Sequence, residues 1–217
     1  MSIESAGPPV TMIDYGGSNI RSVQKAFEFI GARVVVTADP EQVRRAKRVV
    51  LPGVGAFGPG MAALHERGLA EAVLSAVRNG VPLLGICLGM QFLFDESEEM
   101  GRHAGLGLLP GRVVRFQHQP LMPDERGLKI PHMGWNQISH EAMHPLLAGV
   151  PEGAHAYFVH SYYCAPASQT DIVATSEYGG AFAAVVGHGR VFGIQFHPEK
   201  SQRVGLRILD NYSRMEA

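Results

Sequence analysis

The stretch that decides the fold is Val81-Pro82-Leu83-Leu84-Gly85-Ile86-Cys87-Leu88-Gly89, an apolar run that ends in a cysteine flanked by glycines. Such a run, followed by an amphipathic segment, predicts a strand that turns sharply into a helix. Glycines two residues before and after the cysteine relieve the backbone crowding of that turn. The thiol then stands at the positive end of the helix, where the reactive thiolate is favoured. Cys87 is therefore a candidate nucleophile, although the isolated pattern is equally typical of a buried structural cysteine.

Around this strand, the chain alternates between apolar runs and amphipathic segments. Four buried strands are predicted at residues 10–13, 33–37, 48–51 and 81–86. Helical spacing predicts helices between them, of which the longest covers residues 60–79. Short connections between alternating strands and helices predict parallel strands, right-handed crossovers and helices on both faces. Sites in such sheets form at the carboxyl ends of the strands, so we expect the glycine-rich 52–58 loop and Cys87 to share one edge.

The second half of the chain has a different pattern. Short alternating or aromatic segments, broken by proline and glycine, occur at residues 105–116, 129–139, 155–165, 171–178, 181–187 and 191–196. We expect them to extend the sheet in antiparallel fashion, and a helix over residues 201–215 to close the chain. The predicted fold class is α/β: a flavodoxin-like open mixed sheet with a mostly parallel core, helices on both faces and an antiparallel extension. Residues 1–9 are expected to be a flexible lead-in to a single domain over residues 10–217.

Composition excludes several classes of protein. The 217 residues are 46% hydrophobic and 18% charged, as in ordinary globular chains, and the formal net charge of −1 provides no field that would gather nucleic acid or an anionic membrane. No apolar run approaches the roughly 18 residues that span a bilayer. Residues 1–9 lack the basic and apolar regions of a signal peptide, so we expect a cytoplasmic protein. In that reducing compartment both cysteines, Cys87 and Cys164, are expected to be free thiols, with Cys164 in the core.

A thiol nucleophile needs a base, and the base needs a partner that orients it. The apolar run at 191–196 leads directly into His197-Pro198-Glu199, which delivers a histidine to the same edge as Cys87. The carboxylate two residues further on can bond the far ring nitrogen, and Pro198 removes one loose backbone angle. Alone, this tripeptide is more typical of a loop cap. Together with the cysteine turn, it predicts a catalytic triad of Cys87, His197 and Glu199.

Acyl transfer also builds negative charge on a carbonyl oxygen, which fixed donors must stabilise. Gly53, Val54 and Gly55 follow the third predicted strand, and Leu88 supplies the amide after the nucleophile. These four residues are the candidate oxyanion donors; the alternative is that the 52–58 loop is only a flexible surface connection. The sequence has no Walker or dinucleotide-binding pattern, and its histidines have no spaced cysteine or carboxylate set. We therefore expect no cofactor and no metal.

Together, these motifs resemble those of the class I, triad-type glutamine amidotransferases. The segments that match this pattern are 85–91 (GICLGMQ) and 195–201 (QFHPEKS). Three more segments are similar to those of one branch of the family, the glutaminase subunits of imidazole glycerol phosphate synthases: 52–58 (PGVGAFG), 131–136 (PHMGWN) and 157–163 (YFVHSYY). The resemblance extends over about residues 10–212. One departure is Ser18, which stands where the family's first turn carries its second glycine.

The resemblance implies hydrolysis of glutamine to glutamate through a γ-glutamyl thioester on Cys87. It implies that ammonia passes through a tunnel to a (β/α)8-barrel cyclase subunit, which makes imidazole glycerol phosphate and an aminoimidazole carboxamide ribotide in histidine biosynthesis. The residues implied in glutamine binding are Gln91, Glu99, Ser161 and Tyr162, and those implied at the subunit interface are Trp135, Asn136 and Lys200. Two alternatives stay open. One is the glutaminase subunit of another amidotransferase, in aminodeoxychorismate, anthranilate or pyridoxal phosphate synthesis; the other is a catalytically inert glutamine-binding scaffold.

Overall fold

Apolar runs and amphipathic segments fold as alternating strands and helices. The computed structural model describes residues 8–17, 19–117, 128–140 and 144–216. The strands in these ranges are β1 (Val10–Ile13), β2 (Val34–Thr37), β3 (Val49–Gly53), β4 (Leu83–Cys87), β5 (Phe94–Ser97), β6 (His103–Ala104), β7 (Leu109–Arg115), β8 (His132–Ile138), β9 (Ala154–His160), β10 (Tyr162–Pro166), β11 (Ile172–Glu177), β12 (Ala181–His188) and β13 (Val191–Ile194). The helices are α1 (Ile20–Phe29), α2 (Pro40–Arg44), α3 (Phe57–Glu66), α4 (Leu69–Arg78), α5 (Leu88–Gln91) and α6 (Gln202–Ser213).

The central sheet has seven strands in the order β11-β12-β13-β4-β3-β1-β2. The five strands from β13 to β2 are parallel, and β12 and β11 add an antiparallel edge. Read from the β2 side, the parallel strands follow the flavodoxin-like order, which places sites at their carboxyl ends. The predicted fold class is confirmed. Within the described ranges, no helix is long and apolar enough to cross a membrane.

Alternate side chains of the central strands enter cores on opposite faces of the sheet. On one face, Leu51 and Leu83 pack with α3 and α4; on the other, Val50 and Leu84 pack with α1 and α6. Because both faces are covered, the strands read as continuous apolar runs. The hydroxyl of Tyr212, on α6, donates to the carbonyl oxygens of Val49 and Pro82 at 2.6 and 2.9 Å, which fixes the last helix against two neighbouring strands.

The expectation that the segments 105–116, 129–139 and 155–165 extend the central sheet is wrong. Their strands belong to a four-stranded sheet, β10-β7-β5-β6, and to a separate antiparallel pair, β8-β9. A backbone bridge between Ser139 and Thr175 joins the pair to the central sheet. An alternating pattern specifies which face of a strand is buried but not which strand lies beside it. Only Ser161 separates β9 from β10, although these two strands belong to different sheets.

The helix predicted over residues 60–79 is two helices. Gly68 separates α3 from α4 and has a left-handed backbone, with φ of +65°, which ends the first helix and caps the second. The first of the two also starts three residues earlier, at Phe57. The start of α2 is capped: the Asp39 carboxylate accepts from the Glu41 amide at 2.9 Å, and Pro40 occupies the first helical position.

At the start of the chain, the backbone is attached to the domain from Pro8 onward. The Pro8 carbonyl accepts a hydrogen bond from the Arg48 guanidinium at 2.7 Å. Residues 1–7, which make up most of the expected lead-in, lie outside the described residues, as does Ser18. The flexible lead-in and the domain boundaries therefore stay predictions.

Candidate active site

The thiol of Cys87 stands at the carboxyl end of β4, in the turn that leads into α5. Cys87 itself has a positive φ of +55°, an unusual conformation for a residue with a side chain. The flanking glycines serve close packing: a methyl group on Gly89 would lie 1.8 Å from the Leu51 carbonyl oxygen, and one on Gly85 would lie 2.5 Å from the Gly89 oxygen. The turn is therefore pressed against β3 and holds the thiol at the sheet edge. The helix expected after it is a single turn, followed by β5, so its dipole contributes less than a long helix would.

His197 reaches the same edge from the neighbouring strand. Strand β13 runs parallel to β4 with Ile194 opposite Ile86, so the residues that follow both strands leave the sheet together. The Nδ1 atom of His197 lies 2.9 Å from Oε1 of Glu199, and the two side chains are only 6% and 2% exposed. The Cys87 side chain interacts with the same ring and raises the pKa of His197. The three residues therefore form a continuous chain from thiol to carboxylate.

Two opposing effects set the charge of His197. Burial alone would lower its pKa, but the hydrogen bonds and negative charges of Cys87 and Glu199 outweigh burial and raise the pKa from 6.5 to about 10. The backbone is fixed as well, because the His197 amide donates to Tyr157 and the Ser201 hydroxyl donates to the His197 carbonyl at 2.6 Å. At neutral pH the site therefore presents a rigidly held imidazolium beside the Cys87 sulfur. That arrangement can activate a thiol and return a proton to a leaving group.

A cavity of about 340 Å³ opens over the Cys87 sulfur. Its walls contain most of the residues that the sequence singles out. The lining is Val54, Gly55, Cys87, Leu88, Gln91, Glu99, Pro131, Val159, His160, Ser161, Tyr162 and His197. Gly53 lies behind the wall, opposite Cys87 in the β3–β4 register. Candidate nucleophile, base, oxyanion donors and substrate contacts thus meet in one space, although they lie up to 143 residues apart (197 − 54 = 143).

Two polar side chains of this wall also fix its backbone. The Gln91 amide nitrogen donates to the Tyr162 carbonyl at 3.1 Å, which links α5 to the start of β10. A carboxylate oxygen of Glu99 accepts from the Phe57 amide at 2.7 Å, at the N-terminus of α3. Because Phe57 directly follows the 54–56 loop, Glu99 anchors the end of the loop that carries the candidate oxyanion donors Val54 and Gly55.

The three residues implied at an interface lie on or beside the β8–β9 pair. Trp135 is 48% exposed, and its ring meets the ring of Tyr157, its partner across the two strands, edge to face at 5.9 Å. The Lys200 ammonium lies 5.5 Å from the centre of the same Tyr157 ring. Asn136 turns inward instead: its amide nitrogen contacts the His132 ring at 3.3 Å and donates to the Glu177 carbonyl at 2.8 Å.

The motif analysis gave no role to His132 or His160. His160 lines the cavity, and His132 lies directly behind it, with 3.1 Å between His132 Nδ1 and His160 Nε2. A sequence signal exists: both occupy inward positions of alternating strands, and the other inward positions of β9 are apolar. In the described ranges, no group of three or more His, Cys, Asp or Glu side chains could hold a metal ion. Cys164 is a buried free thiol in β10, as predicted.

Comparison with known proteins identifies the class that this fold and site define. The family model for class-I glutamine amidotransferases matches residues 11–213, and the chain belongs to that family. Among curated relatives, it is 54% identical over 203 residues to the imidazole glycerol phosphate synthase subunit HisH of Geobacillus kaustophilus, with 94% of this chain and 95% of that one covered. It is 51% identical over 208 residues to the subunit of the same name in Syntrophotalea carbinolica, covering 95% of this chain and 100% of the relative.

Solved structures share the fold at lower identity. PurLQS from Thermotoga maritima has a TM-score of 0.74 at 20% identity and covers 94% of this chain and 97% of its own. A crystal structure of a glutamine amidotransferase has a TM-score of 0.70 at 18% identity, with 94% and 99% covered. At these identities the likeness concerns the fold alone.

Proposed function

We propose that this chain is a glutaminase subunit that hydrolyses glutamine to glutamate and ammonia through a thioester on Cys87. The observation that carries the proposal is the buried chain from the Cys87 thiol through the His197 ring to the Glu199 carboxylate, at the floor of the cavity. The motif match and the relatives at about half identity support the same activity.

In the proposed reaction, the Cys87 sulfur, its proton held by His197, attacks the side-chain amide carbon of glutamine. The tetrahedral intermediate expels ammonia after His197 donates a proton to the departing nitrogen, and the γ-glutamyl thioester remains. His197 then removes a proton from a water molecule, which attacks the thioester and releases glutamate. Glu199 keeps the ring oriented and stabilises the imidazolium in both half-reactions. One glutamine and one water thus yield one glutamate and one ammonia.

The negative charge that develops on the carbonyl oxygen requires donors at the same place. We assign this role to the amides of Leu88, of Gly53 at the end of β3, and of the loop residues Val54 and Gly55. The amino-acid end of glutamine is assigned to Gln91 and to the backbone of Ser161 and Tyr162. Glu99 serves mainly to hold the loop, since one of its oxygens already accepts from the Phe57 amide. The residues assigned to the oxyanion and to glutamine, except Gly53, line the cavity, as does Glu99.

The proposed acceptor of the ammonia is the (β/α)8-barrel cyclase of an imidazole glycerol phosphate synthase, with which this chain would form a heterodimer in the cytoplasm. The names of the relatives support this partner. So does the outer face of β8–β9, where exposed Trp135 and Met133 lie in the strands whose neighbouring residues Pro131 and Val159 line the cavity. An aromatic side chain of this exposure beside an active site suits a partner surface.

Glutamate production from glutamine tests the proposal. The chain is assayed alone and with a barrel cyclase and its phosphoribulosyl ligand, with Cys87→Ala as the blank and Cys164→Ala as the matched control. We expect a large rise with cyclase that vanishes in Cys87→Ala and persists in Cys164→Ala. Equal turnover in Cys87→Ala would contradict the nucleophile. Absence of a rise, with Cys87 still labelled by a glutamine-analogue electrophile, would retain the glutaminase but contradict the cyclase as acceptor.

A further inference from the structure

An uninterrupted line of hydrogen bonds joins the interface strand β8 to the wall of the cavity. It runs from Asn136 to His132 at 3.3 Å, from His132 to His160 at 3.1 Å, and from His160 to the carbonyl oxygen of Tyr162 at 2.8 Å. The Tyr162 carbonyl is the same atom that accepts from Gln91. Two donors from different elements therefore hold one peptide group of the proposed glutamine site.

The partners at the two ends of the line determine where each proton lies. A carbonyl oxygen only accepts, so His160 donates from Nδ1 to Tyr162, and the Nε2 atom of the neutral ring is an acceptor. His132 must then donate from its own Nδ1, which leaves its Nε2 to accept from Asn136. The orientation of Asn136 is fixed independently, because its nitrogen donates to the Glu177 carbonyl and its oxygen accepts from the Gln137 amide at 2.8 Å. Every member of the line is satisfied in this one arrangement.

The surroundings keep both rings neutral. His132 lies between the rings of Phe158 and Tyr178, with centroids 5.0 and 4.0 Å away, and His160 packs against Phe116 and Phe182. Burial lowers the pKa of His132 to about 4. Burial also lowers the pKa of His160 to about 3, and the charges of His132 and His197 act in the same direction against the hydrogen bond to Tyr162. Near neutral pH, both rings therefore keep the same donor and acceptor atoms.

We propose that His132 and His160 are positioning residues that fix the Tyr162 carbonyl, and with it the backbone that holds the amino-acid end of glutamine. The inference rests on the proposed glutaminase function. Asn136 then has a role inside the subunit, because its side chain donates to His132 at the end of the line. It does so from β8, the strand that also carries Trp135. The consequence is that the shape of the glutamine site is coupled to β8 by hydrogen bonds as well as by packing.

Ring protonation tests the geometry without any assay. In long-range ¹H–¹⁵N spectra of the complex with the barrel cyclase near neutral pH, both histidines are expected to be neutral, with the proton on Nδ1 and a bare Nε2. His132→Asn should leave the His160 tautomer unchanged, because the Asn amide can replace Nδ1–H. A proton on Nε2 of either ring, or a doubly protonated ring, overturns the proposal.

Glutamine affinity tests the positioning role. The dissociation constant is measured by calorimetry in a Cys87→Ala background, in the complex, so that no turnover intervenes. His160→Phe removes the donor to Tyr162 and is expected to weaken glutamine binding about tenfold, the loss of one hydrogen bond. His160→Asn, which offers an amide donor at the Nδ1 position, is expected to restore affinity to within about threefold. Phe182→Leu, in the same aromatic cluster, is the matched control for loosened packing.

The outcomes separate this proposal from the proposed function. Wild-type affinity in His160→Phe, or equal weakening in Phe182→Leu and in both His160 variants, overturns the positioning role while the glutaminase stands. A wild-type complex that makes no glutamate contradicts the proposed function instead. Glutamine affinity that falls only in His160→Phe and returns in His160→Asn supports the positioning role.

Discussion

The Nδ1 atom of His197 and the Oε1 atom of Glu199 are 2.9 Å apart in a nearly closed environment, and the Cys87 side chain raises the pKa of the same ring. Pro198 begins a short 3-10 turn from Pro198 to Lys200, so the backbone sets the spacing of histidine and carboxylate. Burial works against a charged imidazole, and two partners work for it. The pKa of His197 therefore reports whether Cys87 and Glu199 are both in place beside the ring.

Removing either partner is expected to lower the pKa of His197. In Cys87→Ala, burial is opposed by Glu199 alone, so the pKa should fall below the wild-type value of about 10. Adding Glu199→Gln leaves burial unopposed by charge, and the pKa should fall below 6.5. Nuclear magnetic resonance titration of labelled histidine checks both values, with Cys164→Ala as control. A His197 pKa that is the same in wild type and Cys87→Ala would contradict the Cys87–His197 contact.

The His197–Glu199 pair makes the stability of the fold depend on pH. Because folding raises the pKa of His197 from 6.5 to about 10, its contribution to the free energy of unfolding is fully present below pH 6.5 and is lost as pH rises toward 10. Glu199→Gln should therefore destabilise the chain by about 2 kcal/mol near pH 6, the value of a hydrogen bond to a charged group, and by much less near pH 10. Urea unfolding at several pH values measures the difference. A destabilisation that grows with pH would have the wrong sign.

Gly89→Ala is expected to disrupt the cysteine turn. The new methyl group would meet the Leu51 carbonyl oxygen at 1.8 Å, and that oxygen belongs to the central strand β3, which cannot move freely. We expect a loss of about 3 kcal/mol or more in stability and loss of glutaminase activity. Gly31→Ala is the control: its φ of +82° strains an alanine, but no atom lies within 4 Å, so about 1–2 kcal/mol is expected. Similar melting temperatures for the two variants would show that close packing is not the reason for Gly89.

Glu99, which follows β5, accepts from the Phe57 amide directly after the 54–56 loop, where the proposed oxyanion donors Val54 and Gly55 lie. Glu99→Ala leaves that amide without its carboxylate partner and should cost about 1 kcal/mol, as for other lost helix caps. Loss of the anchor should also reduce glutaminase activity, because the 53–55 amides are less well held. Glu99→Gln keeps an acceptor oxygen and should retain most of both. If glutamine must contact the negative charge itself, the Gln variant will instead lose activity with unchanged stability.

Much of the parallel half of the fold follows from the sequence because each signal there is local. Continuous apolar runs mark strands covered on both faces, and Asp39-Pro40 marks a helix start. Parallel connectivity then brings Cys87 and His197 to one edge without any knowledge of distances. The cavity that unites them with Gln91, Ser161 and Tyr162 is consistent with that expectation.

The remainder depends on contacts that no local pattern encodes. Gly68 could be read as one tolerated glycine in a long helix, and only its left-handed backbone in the fold separates α3 from α4. Polar and apolar side chains alternate along the strands β7 to β10 as expected. Which strand pairs with which depends on the turn at Ser161, because β9 before it and β10 after it belong to different sheets. His132 and His160 looked like isolated histidines because they are 28 residues apart and meet only through strand pairing.

Trp135→Ala is expected to weaken association with the cyclase while leaving the isolated chain folded. The side chain is 48% exposed and packs mainly on the Tyr157 ring, so its removal should cost less than about 1 kcal/mol in stability. If the outer face of β8–β9 is the partner surface, the same change should cost about 2 kcal/mol or more in binding, as for a central aromatic anchor. Phe29→Ala is the matched control, because Phe29 is 79% exposed but lies on α1, away from the cavity. Calorimetric titration of the cyclase into each variant measures the affinities, and equal losses for the two variants would place the interface elsewhere.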